Sequence, residues 1–127
     1  MGERALSFRE LHVYQGAREL QQKIFEITKT FPSDEKYSLT DQVRRSSRSV
    51  GANIAEAWHK RRYVAHFMSK LSDADGEQAE TQHWVDTALL CKYVDVTLHS
   101  ELMTQCKEIG RMLGKMMKDA DSWCEER

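Results

Sequence analysis

The sequence predicts an all-α protein, an antiparallel up-down-up-down four-helix bundle. Three observations predict it. Apolar or small residues recur at alternating spacings of four and three along four long stretches, the rhythm of a helix face packed in a bundle. One proline and six glycines leave few breakers, which favours few, long helices over a many-turned β fold. The connections between the stretches are short, so consecutive helices are expected to be antiparallel neighbours. The chain of 127 residues suits a single domain spanning 1–127, large enough to bury a core without a disulfide or metal staple.

The first helix is expected over about 8–31. Ser7-Phe8-Arg9-Glu10 reads as a capping box, in which hydroxyl and carboxylate satisfy the free N–H groups of the first turn. Its seam is Val13, Ala17, Leu20, Ile24, Ile27 and Phe31, widened by Leu11, Tyr14 and Phe25. Phe31-Pro32 ends it, because the residue before proline avoids the α region. A loop over 32–37 follows. Ser38-Leu39-Thr40-Asp41 offers a second cap for a helix over about 39–59, with the seam Leu39, Val43, Ser46, Val50, Asn53 and Ala57. This seam is built from small and polar residues, so other backbones can come close to it. Lys60, Arg61 and Arg62 form a short polar junction.

The third helix is expected over about 63–93, with the seam Val64, Phe67, Leu71, Ala74, Gln78, Thr81, Val85 and Ala88. Gly76 sits inside it at a cost of about 1 kcal/mol against alanine. A break at 94–97 leads to a fourth helix over about 98–123, with the seam Leu102, Cys106, Ile109, Leu113, Met116, Ala120 and Trp123. The Glu125-Glu126-Arg127 end is expected to fray.

The formal net charge is −1, but the charge is unevenly spread. Between residues 42 and 66 there are six Lys or Arg against the single Glu56; between 72 and 86 there are five acids and no Lys or Arg. A basic region and an acidic region are therefore expected. Folding the chain back at about residue 61 sets Arg44 near the level of Glu77 and Gln78, and Glu56 near His66. Folding it back at the 94–97 break sets Glu80 near Arg111. Arg44, Arg45 and Arg111 are thus candidates to meet Glu77 or Glu80, within a subunit or between subunits.

Three cysteines, Cys91, Cys106 and Cys124, form no CxxC, and no run approaches the length of a membrane span. The start is charged and mixed, unlike a signal peptide, and Leu6 stands where a myristoylation signal needs Ser or Thr. A cytoplasmic protein with reduced thiols and no membrane association is the expectation.

Two Glu-x-x-His motifs, Glu56 to His59 and Glu80 to His83, resemble the ligand spacing of di-iron bundles. Their heights differ by roughly 14 residues, or about 20 Å at 1.5 Å per residue, which no metal pair bridges. The cysteine spacings fit no zinc site. No motif gathers a nucleophile with a base and an orienting acid, and there is no glycine-rich phosphate loop. No catalytic residue, metal site or cofactor is expected.

The basic residues carry more. Arg44, Arg45 and Arg48 lie within about one turn, and Lys60, Arg61 and Arg62 follow at the far end of the same helix. Such a surface suits phosphates through charge and bidentate contacts. The competing reading pairs the helical arginines with the acidic run of the third helix and leaves the junction as a solvated turn. Trp58, Tyr63 and Trp84 suit base stacking or, more simply, packing and interface contacts. Asn53 and Gln78 on seam positions suggest polar pairing that sets register or oligomer state.

Phe31-Pro32, Leu39-Thr40-Asp41-Gln42-Val43-Arg44-Arg45, Ser49-Val50-Gly51-Ala52-Asn53-Ile54-Ala55-Glu56 and Ala74-Asp75-Gly76 with Glu80-Thr81-Gln82 resemble the 23S rRNA intervening-sequence protein family. The likeness runs from Phe8 to about Met117. It implies a small bacterial four-helix bundle that assembles as a homopentamer, with no established catalytic activity. Relatives include the accessory subunits of diversity-generating retroelements, which bind nucleic acid and a reverse transcriptase. The motif positions carried over are Gln42, Arg44, Arg45, Asn53, Glu56, Gly76 and Glu80, the non-arginine members being candidate subunit contacts. Ala57 replaces a usual glycine, Glu77 a usual serine, and Gln78 and Thr81 usual leucines, so the third helix is more acidic than the pattern. Self-association, with RNA, DNA or a reverse transcriptase as partner, is the functional expectation. A purely structural assembly protein is the alternative.

Overall fold

The computed structural model describes residues 5–124; the frayed end expected at 125–127 and the Met1-Gly2 start lie outside them. Four long helices, α1 (His12–Thr28), α2 (Asp41–His59), α3 (Val64–Leu90) and α4 (Val96–Lys118), are followed by a single turn, α5 (Ala120–Trp123). No strand occurs among the described residues. No helix among them is long and apolar enough to cross a membrane.

Facing pairs run in opposite senses along each seam. Arg44 reaches Thr28 while Gly51 lies against Tyr14. Arg45 reaches Glu80 while Glu56 reaches Lys70. Gly110 lies against Gln78 while His99 reaches Asp86. Lys23 pairs with Glu101, and Gly16 lies against Ile109. Each helix is therefore antiparallel to the next, and α4 closes the ring against α1.

The seams mostly lie where the periodicity puts them. All seven expected seam residues of the fourth helix are buried, as are those of the third from Phe67 to Ala88. In α2 the core face is turned slightly: Ile54 is buried, while Asn53 is half-buried and donates to the Ser49 carbonyl at 2.9 Å. The seam position given to Asn53 thus belongs to Ile54, the larger hydrophobe beside it.

Helix ends differ from expectation for local reasons. Ser7 Oγ accepts from Arg9 N at 3.2 Å and Glu10 Oε1 from Leu6 N at 2.5 Å. These bonds close a 3-10 turn, Phe8–Glu10, and Leu11 is extended before α1 begins. At the other end α1 stops at Thr28, and successive three-residue turns carry the chain to Phe31. The tighter turn uses up the last carbonyls ahead of Pro32. The expected cap at Ser38 to Asp41 does not form. A π-helical turn, Lys36–Thr40, runs straight into α2, and Thr40 is already helical at φ −56° and ψ −52°.

After α3, Lys92 adopts φ 65°. Its N–H bonds the Leu89 carbonyl at 3.0 Å, and Tyr93 N–H bonds the Ala88 carbonyl at 2.9 Å. This is a Schellman ending, here with lysine where glycine is usual. It ends the helix before 93 and lets Asp95 cap α4, its Oδ1 accepting from Leu98 N at 2.8 Å. The long fourth helix expected to 123 breaks at Asp119, and α5 carries Trp123 back under the core, edge-on to Trp58 at 6.5 Å.

A second small cluster fills the opposite end. Leu39, Ala88 and Val94 pack there with Phe31, Tyr93 and Leu98. Tyr93 Oη donates to Glu35 at 2.7 Å, which pushes the phenol up to about 12.

Candidate nucleic-acid interface

The outer side of α2 carries an open groove of about 480 Å³ lined by Asp41, Arg44, Arg45, Arg48, Ser49 and Ala52. Helical spacing sends the three arginines in different directions. Arg44 leans toward α1, Arg45 toward α3, and Arg48 lies exposed on the α1 side.

Arg45 is held by two carboxylates of α3. Its Nη1 donates to Glu77 Oε1 at 3.3 Å and its Nη2 to Glu80 Oε2 at 2.5 Å. Trp84 Nε1 donates to the same Glu80 oxygen at 3.0 Å. The Arg45 bond, then the Trp84 bond, holds the Glu80 carboxyl below its ordinary range, and the Glu80 bond raises Arg45 in turn. Of the three arginines expected as partners for Glu77 or Glu80, the structure brings only Arg45 to them.

Arg44 turns the other way. Its Nε donates to Thr28 Oγ1 at 2.7 Å and its Nη2 to the Phe25 carbonyl at 3.4 Å. Thr28 Oγ1 itself donates to the Ile24 carbonyl at 2.7 Å, which aims the hydroxyl oxygen at the guanidinium. Arg111 pairs with Glu108 on its own helix instead of Glu80. Direction on the helix explains Arg44, whose neighbour Arg45 takes the α3 side, and the fold-back heights differ from expectation as well. The α2–α3 junction runs on to Tyr63, so Glu56 faces Lys70 at 3.1 Å instead of His66. Across α3 and α4, Gly110 abuts Gln78, which leaves Arg111 below the level of Glu80.

The junction residues separate too. Arg61 lies 3.6 Å from the Trp58 ring centroid and donates from Nε to the Trp58 carbonyl at 2.8 Å. Arg62 is exposed, 5.9 Å from the Tyr63 ring, and Lys60 is exposed at the helix end. Of the aromatics expected as stacking platforms, Trp58 is buried and Trp84 is tied to Glu80. Tyr63 stays about half exposed, edge-on to His66.

Gln42, Ser49, Asn53 and Glu56 share one stripe of α2 at helical spacing. Gly76 is exposed, and a Cβ there would meet nothing within 4 Å. Glu56 and Glu80 serve separate ion pairs. Polar pairing across the interior does occur, between Ser46 Oγ and Thr81 Oγ1 at 2.8 Å. Gln78 instead bonds along its own helix, to Asp75 at 2.8 Å and from Gln82 at 2.7 Å.

Three residues missed in the sequence shape the basic surface: Phe25, Thr28 and Lys29. Phe25 has cations around it, with Lys29 Nζ at 4.7 Å, Arg44 Cζ at 4.8 Å and Arg48 Cζ at 5.7 Å from its centroid. The Phe25–Lys29 spacing of four was a readable signal; the convergence with α2 was not, because it depends on the α1–α2 register.

Among curated proteins, none matches the chain. Among solved structures, the chain is similar to a crystal structure of a protein of unknown function from the S23 ribosomal protein family of Bacteroides thetaiotaomicron VPI-5482. The TM-score is 0.76 at 27% identity, covering 84% of this chain and 95% of that one. A family model described as 23S rRNA-intervening sequence protein matches residues 9–115. With that match over most of its length, the chain belongs to the 23S rRNA-intervening sequence protein family.

Proposed function

We propose that this protein is a non-enzymatic, self-assembling bundle that binds nucleic acid through basic residues of α2 and the junction after it. One observation carries the reading. Arg44 and Arg48 line an open groove with no carboxylate in ion-pair range among the described residues, whereas Arg45 is neutralised by two. Exposed Lys60 and Arg62 extend the positive surface beyond the end of α2. Guanidinium groups free of carboxylates suit phosphate oxygens. Family membership supports a setting in which nucleic acid is at hand.

The test is binding of RNA by the purified full chain across a salt series. Affinity that falls linearly on a log–log plot, and weakens in an Arg44→Gln/Arg48→Gln variant, is the expected result. No binding at low salt would sink the reading.

The second reading is a purely structural assembly protein, which the resemblance implies to be a pentamer. The open surface at Gly76 favours it, since a glycine with nothing near it lets another backbone approach closely. Light scattering decides whether Gly76→Leu lowers the assembled mass while RNA binding is absent.

A further inference from the structure

We propose that Lys29, Arg44 and Arg48, gathered around the Phe25 ring, form the seat for a phosphate of a single nucleic-acid strand. The inference rests on the nucleic-acid reading above and names where the strand is held.

The three cations come from two helices and converge on one half-buried ring, at 4.7, 4.8 and 5.7 Å. Phe25 attracts each of them through its ring face. The ring does not remove their mutual repulsion, and an anion placed among them does. The local acids leave a positive excess: Glu26 pairs with Lys29 at 3.2 Å, and Asp41 lines the groove, but neither Arg44 nor Arg48 has a carboxylate partner among the described residues.

The seat is also preorganised. Arg44 is fixed by Thr28 and the Phe25 carbonyl and lines the groove, so a phosphate meets a guanidinium already ordered by the fold. Arg48 is exposed, and the exposed Lys29 is held only by a solvent-screened pair with Glu26 one turn away, which a bound oxyanion competes with. Partial burial of the ring lowers the local dielectric and strengthens each interaction relative to open solvent. The other basic groups are less suited. Arg45 is neutralised, Arg61 is already laid over Trp58, and Arg62 lies 5.9 Å from the Tyr63 ring centroid.

A labelled oligouridylate is titrated by fluorescence polarisation at several salt concentrations against the full chain. The variants are Lys29→Gln/Arg48→Gln and, for comparison, Lys60→Gln/Arg62→Gln. All four side chains are exposed, and circular dichroism checks the fold. The expected result is an affinity loss of about tenfold in the Lys29/Arg48 variant. Its salt slope should flatten by roughly 0.7 for each phosphate that the variant no longer neutralises. The junction variant should change less, and inorganic phosphate should compete only weakly, which separates a strand from a free ion. An unchanged affinity and slope in the Lys29/Arg48 variant, with loss in the junction variant, would overturn the seat and leave the nucleic-acid reading standing. Equally tight, equally Lys29/Arg48-dependent binding of poly-glutamate would overturn it in favour of an acidic protein partner. No oligouridylate binding by the wild type would overturn both.

Discussion

Arg45 Nη2 and Glu80 Oε2 meet at 2.5 Å across the α2–α3 seam, on the carboxylate oxygen that also receives the Trp84 indole N–H. One arginine therefore ties two acids of α3 to α2, and a tryptophan reports on the tie.

The pair has a predictable pH dependence. The Arg45 and Trp84 hydrogen bonds hold the Glu80 carboxyl below its ordinary value of 4.5. A depressed carboxyl stabilises the fold above its unfolded pKa, and the contribution is lost as pH falls through the lower folded value. Arg45 is 47% exposed and Glu80 35%, so solvent screening limits the effect to about 0.2–1 kcal/mol. Urea denaturation of Glu80→Gln should show that deficit at neutral pH and a smaller one in acid. Trp84 fluorescence should shift at neutral pH. An equal deficit at both pH values would refute the assignment.

Two helical glycines should answer alanine in opposite ways. At Gly76 a Cβ meets nothing within 4 Å, so Gly76→Ala should stabilise by about 1 kcal/mol through helix propensity. At Gly110 a Cβ would stand 2.9 Å from Gln78 Nε2 and 3.3 Å from Asp75 Oδ1. Gln78 is buried and bonded at both ends of its amide, so it cannot swing clear without breaking those bonds. Gly110→Ala should be neutral or destabilising by about 1 kcal/mol. Thermal melts of the two variants decide.

The buried hydroxyl pair should show coupling. Ser46 Oγ and Thr81 Oγ1 lie 2.8 Å apart, and both residues are fully buried. With one proton each, Thr81 donates to the Glu77 carbonyl at 2.9 Å and Ser46 to Thr81 Oγ1, the Val43 carbonyl at 3.3 Å being the weaker alternative for the Ser46 proton. Thr81→Val should cost about 1 kcal/mol, and Ser46→Ala added to it should cost little more. A double-mutant cycle with no coupling would show that the pair contributes nothing.

Lys92 sits at φ 65° in the Schellman turn. Left-handed backbone is unfavourable for a residue with a Cβ, and Lys92 is exposed. Lys92→Gly should stabilise by about 1 kcal/mol, less the entropy glycine gains on unfolding. Denaturant midpoints at unchanged slope would register it.

Much of the architecture was legible because it rests on long-period signals. The Leu102 to Trp123 seam is buried throughout, since a periodic apolar face of that length has one way to bury itself. What escaped was short-range or register-dependent. Ser7 and Glu10 have the composition of a capping box but close a 3-10 turn. Lys92 takes a left-handed position that its type does not announce. Glu56 opposite Lys70 instead of His66 is a shift of about one helical turn in the facing partner, from an offset of about two residues in the fold-back point. The divergence of Arg44 from Arg45 has a separate cause, because neighbours on a helix differ by about 100° in direction and each finds what its own side offers.

Both ends of the bundle are stoppered by aromatic rings. Phe31 and Tyr93 lie over one end, 5.4 Å apart, and Trp58 and Trp123 over the other. The cavity beneath Phe31 and Trp84 is only about 10 Å³ and apolar-lined, at the lower limit for a single water. With rings over both ends, the sides of the helices are the faces on which surface substitutions can be made without touching the core.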